Sequence, residues 1–180
     1  ISRVAITLKG PVYMVKNLVF KALLSISGFL GIALVFLRIV GYEPKDTSPG
    51  LWIAGDTVSE QVTDWSFTNE IDEIFVETRT PYLVPHSITT YCGVYEGNFY
   101  LFSAYYEGGE FPYARRWNQN VMRDPRVRLK IGEDIYQQNL RFVKDESTKA
   151  PIHNAFVEKY SDWQSPGIEN VHIFLVEPRL

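Results

Sequence analysis

The sequence predicts an α+β fold: a small antiparallel barrel of six strands, closed or split, with two or more helices and one transmembrane helix ahead of it. Three observations predict it. Residues 18–40 form an apolar run almost free of charge. Two strand pairs are each joined through a short glycine-bearing turn. After a linker the elements follow in the order strand, hairpin, helix, hairpin, helix, strand, with short links and no βαβ crossover pattern.

The apolar run is "LVFKALLSISGFLGIALVFLRIV" (Leu18 to Val40). Ala22 to Leu37 carries no charge, and Lys21 and Arg38 are placed to snorkel toward the two interfaces. About 20 apolar residues cover the hydrocarbon core of a bilayer. A helix apolar on every face needs lipid or a large protein around it. No small-x-small pattern follows Leu37, which favours an uncleaved anchor over a signal peptide. The expected organisation is an N-terminal tail (1–17), the span (18–40), a linker rich in turn formers (41–50) and a barrel domain (51–180). Arg3, Lys9, Lys16 and Lys21 precede the core of the span, whereas Arg38 and Lys45 follow it beside Glu43 and Asp46. The positive-inside rule then puts the tail in the cytoplasm and the domain on the periplasmic or other extracytoplasmic side. Ser27, Gly28 and Gly31 give the span a narrow groove where a helix of another membrane subunit can approach closely.

Charge divides the chain. Residues 1–40 contain five basic groups and no acid, so the other 140 residues carry a net charge of -8 out of a total of -3. That surplus repels nucleic acid phosphates, so no nucleic acid partner is expected, and the bilayer is met through the span. Cys92 is the single cysteine, which excludes an intrachain disulfide and a thiolate metal cluster; its apolar, alternating context predicts an inert buried thiol. His86, His153 and His172 show no metal-ligand spacing. A nucleophile elbow, a phosphate loop and a dinucleotide glycine fingerprint are all missing, which removes hydrolase and NTPase readings.

Within the domain, "IDEIFVETRT" (Ile71 to Thr80) reads as a strand. "HSITTYCGVY" and "NFYLFSAYY" flank Glu96-Gly97 and read as a hairpin. Pro112 suits the first turn of a helix carrying Tyr113, Trp117 and Val121 at four-residue spacing, and Asp124-Pro125 ends it. "VRLKI" and "IYQQNLRFV" pair through Gly132-Glu133-Asp134. Ser147 or Thr148 can cap a second helix, with Pro151 in its first turn and Ile152, Ala155, Phe156 and Tyr160 on one face. "VHIFLVE" is nearly continuous in apolar residues, as in a strand covered on both sides.

From Ile71 to Pro178 these elements resemble the pyridoxamine-phosphate-oxidase-like, FMN-binding split-barrel superfamily, which includes deazaflavin-dependent nitroreductase-type proteins. The stretch that carries the resemblance is "PYLVPHSITTYCGVYEGNFYLFSAYYEGGEFPYARRWNQNVMRDPRVRLKIG". It has a strand, a tight hairpin, a basic pair opening a helix, and an Asp-Pro-x-Val strand start. The resemblance implies a six-stranded split β-barrel, FMN or a deazaflavin as cofactor, and a homodimer as the assembly. It assigns the flavin phosphate to Arg115 and Arg116. A guanidinium fork suits phosphate oxygens, and free N–H groups at a helix start add to it. Solvated ion pairs with Glu107 or Glu110 are the alternative for this pair. The strand that often carries another basic residue reads Pro81 to His86 here, so only Arg79 and His86 are nearby candidates. Tyr105 or Tyr106 could stack on the flavin ring.

Two functions follow. One is an accessory or structural subunit of a larger membrane complex with a degenerate flavin site, which the thinned basic set and the predicted topology favour. The other is a membrane-anchored flavin or deazaflavin oxidoreductase acting on a small or lipophilic substrate.

Overall fold

The computed structural model describes residues 11–82, 84–105, 109–161 and 164–179, with side chains from residue 15. The chain forms two compact units divided between Ile39 and Val40. The first is a single helix, α1 (Pro11–Val40). Its Val15–Val40 portion has a mean hydropathy of 2.3 and is long and apolar enough to cross a membrane. The helix starts ahead of the expected span, at a proline, whose missing N–H costs nothing at a first helical position. Residues 1–10 of the expected tail lie outside the described residues. Ser27 is exposed, and a Cβ at Gly28 or Gly31 would meet nothing within 4 Å.

In the second unit β1 (Asp56–Val58) comes first, a strand with no signal in the sequence. It is followed by β2 (Glu73–Thr78), β3 (His86–Tyr95), β4 (Asn98–Ala104), α2 (Arg116–Arg123), β5 (Arg126–Ile131), β6 (Asp134–Phe142), α3 (Glu146–Lys159) and β7 (Val171–Pro178). Six strands close in the order β6-β5-β2-β3-β4-β7 and back to β6, every pairing antiparallel. The expected antiparallel six-stranded barrel is therefore present and closed. β1 adds in parallel to the first residues of β6, alongside the part of that strand that β7 does not reach. The β3–β4 hairpin turns through Glu96 and Gly97, both at positive φ (49° and 76°), the two-residue turn whose twist matches antiparallel strands.

Alternation along the strands builds two apolar layers. Val76, Cys92, Leu101, Leu129 and Phe174 belong to one cluster with Trp65, Trp117 and Val121, and this is the barrel core. Tyr100, Phe102, Val171 and Ile173 belong to the other, under Ile152 and Phe156 of α3. β7 is thus covered on both faces, as its composition predicts. Gly93 allows the close approach of α3: a Cβ there would stand 2.8 Å from the Phe156 ring.

Three local expectations are corrected. α2 begins at Arg116 and not near Pro112, and Tyr113 stays outside it at 72% exposure, so only Trp117 and Val121 form the buried stripe. The cap of α3 is Asp145, whose carboxylate accepts from Thr148 N at 3.0 Å; the hydroxyls of Ser147 and Thr148 donate to that carboxylate instead of capping. A charged acceptor with two oxygens outcompetes a hydroxyl at a helix start. Pro151 therefore falls inside α3.

The segment expected as a linker is bound to the barrel. Tyr42 N donates to Trp52 O (2.8 Å), Leu51 N to Tyr42 O (2.7 Å), and Gly50 and Ser87 exchange backbone bonds of 2.9 and 3.1 Å. Glu77 Oε2 accepts from Ile53 N at 2.9 Å, and Lys130 Nζ meets Glu43 Oε1 at 2.7 Å. Residues 41–55 are a strap across the outer face of β2, β3 and β5.

Candidate functional site

The end of β2, the start of β3, the start of β5 and α2 meet at one end of the barrel, because Thr78 pairs with both His86 and Val127. Arg115 is the N-cap of α2, in an extended conformation (φ -129°, ψ 120°) with no side-chain cap bond. Its Nε donates to Ala104 O at 3.0 Å, which anchors the guanidinium to the end of β4. Arg116 is the first helical residue, exposed, with no carboxylate partner among the described residues. The first turn of α2 contains no acid. Its leading N–H groups have no intrahelical acceptor, and the helix dipole makes this end partly positive.

His86 joins the pair. Burial first, and then the Arg116 guanidinium, hold its imidazole below the ordinary histidine value, partly offset by a hydrogen bond with the Gly50 backbone. At neutral pH it is an uncharged ring beside a fixed cation. The structure therefore places His86 within electrostatic reach of Arg116, the residue that follows Arg115.

Arg79 is placed elsewhere. Its carbonyl accepts from Arg123, and its guanidinium lies 3.9 Å from Asp124. Arg123 is two helical turns from Arg116, about 10 Å along the axis. Asp124 also holds Arg126 at 2.6 and 2.7 Å, and the hydrogen bonds from Arg126 are the main reason its carboxyl lies at about 2. Arg79 thus belongs to a cationic cluster at the far end of α2. Tyr105 is corrected more sharply. It is 1% exposed, its ring set edge-on to His172 at 4.4 Å, so it offers no open face to a flavin. Tyr106 lies outside the described residues.

Two asparagines escape sequence reasoning. Asn118 Nδ2 donates to Ser103 Oγ (3.0 Å) and Tyr105 OH (2.6 Å), and its Oδ1 is buried without a partner among the described residues. Asn120 Nδ2 donates to Thr78 Oγ1 (2.9 Å), which in turn donates to His86 O (2.9 Å). Together they tie the first turns of α2 to β2, β3 and β4, fixing where the arginine pair stands. The available signal was "WNQNV", polar residues interleaved with the two apolar anchors of the helix. His172, also at this barrel end, is pushed down to about 4, chiefly by burial and then by Lys149. Among the described residues no group of three metal-ligating side chains occurs.

The donor set at the start of α2 fits a phosphate: two guanidinium groups, a neutral imidazole and free helix N–H groups. The ring of a flavin finds no stacking partner in Tyr105.

No family model matches the chain, and a search of curated proteins finds no match. Several solved structures are similar. One is a NimC/NimA family protein from Clostridium acetobutylicum, 13% identical, matching 60% of this chain and 74% of that one with a TM-score of 0.44. Another carries the description F420 reductase, 13% identical over 67% of this chain and 97% of that one, TM-score 0.48. A third is a FAD-binding protein from Mesorhizobium loti, 13% identical over 62% and 84%, TM-score 0.45. The closed six-stranded antiparallel barrel stands on this chain's own strand pairings.

Proposed function

We propose that this chain is a membrane-anchored split-barrel protein that holds the phosphate of a flavin-type cofactor, FMN or a deazaflavin, at the N-terminus of α2. The observation that carries the reading is the position of Arg115 and Arg116 at the N-cap and first residue of a helix with no acid in its first turn. Arg115, tethered to Ala104 O, presents a pre-oriented guanidinium; Arg116 and the neutral His86 complete the set. A bound flavin would supply hydride or electron transfer, with the protein contributing placement and charge. The charge-poor helix ending at Val40 supports the anchor.

Absorbance of the purified full-length protein, with and without added FMN or deazaflavin, tests this. The expected result is a saturable flavin spectrum in the wild type that is lost in the Arg115→Ala/Arg116→Ala variant. Wild-type protein that takes up neither cofactor sinks the reading.

A second reading is favoured by the buried Tyr105 ring and the open groove at Ser27, Gly28 and Gly31. On it the chain is an accessory subunit of a membrane complex, N-terminus in the cytoplasm and barrel on the far side, with a degenerate cofactor site. Stoichiometric co-purification of colourless protein with other membrane subunits supports it, and a monodisperse chain that captures none counts against it.

A further inference from the structure

Three arginines converge at the C-terminal end of α2. Thr78 pairs with Val127, so Arg79 and Arg126, the next residue along each chain, stand opposite one another at the end of the β2–β5 ladder. Arg123, in the last turn of α2, donates to the Arg79 carbonyl. One carboxylate serves all three. Arg126 engages both oxygens of Asp124, at 2.7 and 2.6 Å, whereas the Arg79 guanidinium stays 3.9 Å away and Arg123 is tied to a carbonyl.

The charges here do not cancel. Three guanidinium groups against one carboxylate leave a surplus of two positive charges, and the neighbouring pairs Arg128–Glu77 and Arg141–Glu177 leave that surplus unchanged. The side chains of Arg79 and Arg126 are 49% and 45% exposed, and Arg123 is exposed. Uncharged anchors accompany them: Met122 (47% exposed) precedes Arg123, exposed Pro125 precedes Arg126, and Tyr82 (74% exposed) stands in the loop after Arg79. Arginine, methionine and tyrosine are the residues enriched where proteins meet. The surplus requires an anionic partner. Residues 41–180 carry a net charge of -8, so a nucleic acid duplex or an anionic bilayer, which reaches far past the patch, meets repulsion from the rest of the domain. A short acidic segment stays within a Debye length of the surplus, about 8 Å at physiological salt.

We infer that the patch of Arg79, Arg123 and Arg126 docks an acidic segment of a partner protein, its carboxylates on the two uncommitted guanidinium charges and an apolar side chain against Tyr82 or Met122. A contact of this size suits a transient partner and not an obligate one. The site requires neither Arg115 and Arg116 nor a flavin, and it makes no use of the groove on α1, so it stands or falls separately from both functional readings.

The test uses the full chain in nanodiscs of zwitterionic lipid and a short fluorescein-labelled peptide of mixed glutamate and leucine, followed by fluorescence anisotropy. The expected result is saturable binding that weakens as salt is raised. Arg79→Glu/Arg123→Glu should reduce the affinity about tenfold. Arg79→Gln/Arg123→Gln, which keeps a donor for the Arg79 carbonyl and with it the melting temperature, should reduce it less but in the same direction. Tyr82→Ala should weaken binding, and Arg115→Ala/Arg116→Ala should leave it unchanged. Absence of binding, binding that neither arginine variant alters, or equal binding of the same peptide with glutamine in place of glutamate overturns the inference. Flotation of the nanodiscs with phosphatidylglycerol vesicles that the arginine variants abolish, with no peptide binding, assigns the patch to a lipid surface and also overturns it.

Discussion

Glu77 and Arg128 form an ion pair of 2.7 Å on the outer face of the barrel, and the same Glu77 oxygen accepts the backbone N–H of Ile53. One carboxylate therefore joins β2, β5 and the strap that follows the apolar helix. Glu77 is 8% exposed, so removing it leaves a half-buried guanidinium and a buried N–H without an acceptor. Glu77→Ala should cost about 3 kcal/mol, and Glu77→Gln, which keeps an acceptor for Ile53, about half as much. Denaturant unfolding of the full chain, followed by tryptophan emission, measures both. Equal stability of the alanine variant and the wild type would show that the strap is not held by this pair.

Gly93 and Phe156 make a second coupled pair. Gly93→Ala forces the Phe156 ring to shift and should destabilise by about 1–3 kcal/mol. Phe156→Leu leaves room for the methyl group, so the double variant should recover part of the Gly93→Ala loss. A double-mutant cycle reads this coupling directly, and simple additivity would refute it.

Lys159 closes α3 onto the barrel through three carbonyls: Thr68 at 3.0 Å, Ile71 at 2.6 Å and Cys92 at 2.9 Å. Lys159→Met keeps the stem and removes the donor, and should cost about 3 kcal/mol. Cys92 lies beneath it, fully buried, with its thiol pushed up to about 11 mainly by that burial. A maleimide should leave the native protein unlabelled and react only on unfolding, at lower denaturant in the Lys159→Met variant. Rapid labelling of native wild type would contradict the burial of the thiol.

His172 sets a pH dependence with a definite sign. Its folded value of about 4 lies below the ordinary 6.5, so between these values the unfolded chain binds the extra proton. Stability is complete above about 6.5 and falls as pH drops toward 4, by about 2 kcal/mol after allowance for solvent screening. His86 and His153 are lowered in the same direction and add to the slope. Melting temperature against pH should show the decline, and His172→Phe should flatten it. An unchanged curve in that variant would remove His172 as its source.

The strands, hairpin turns and apolar helix were legible because each is specified by neighbours in sequence. Period-two alternation placed Cys92 in the interior, Glu96-Gly97 supplied the turn, and charge-free length marked α1. β1 was not legible, since three residues have no periodicity and the strand exists only because β6 offers it an edge. Nor was the strap: proline and glycine announce a linker whether or not Glu77 and Lys130 are waiting to hold it.

The amino-acid sequence by itself determined that a helix stands between two hairpins of an antiparallel barrel, because local pattern and turn chemistry need no distant partner; that Arg116 opens this helix was decided by the structure. Only the tertiary structure decided which candidates stand together. It drew His86 to Arg116, sent Arg79 to Asp124 and buried Tyr105 against His172. Those outcomes depend on strand register and on the contacts of Asn118 and Asn120, which join residues tens of positions apart and leave no trace in composition or spacing.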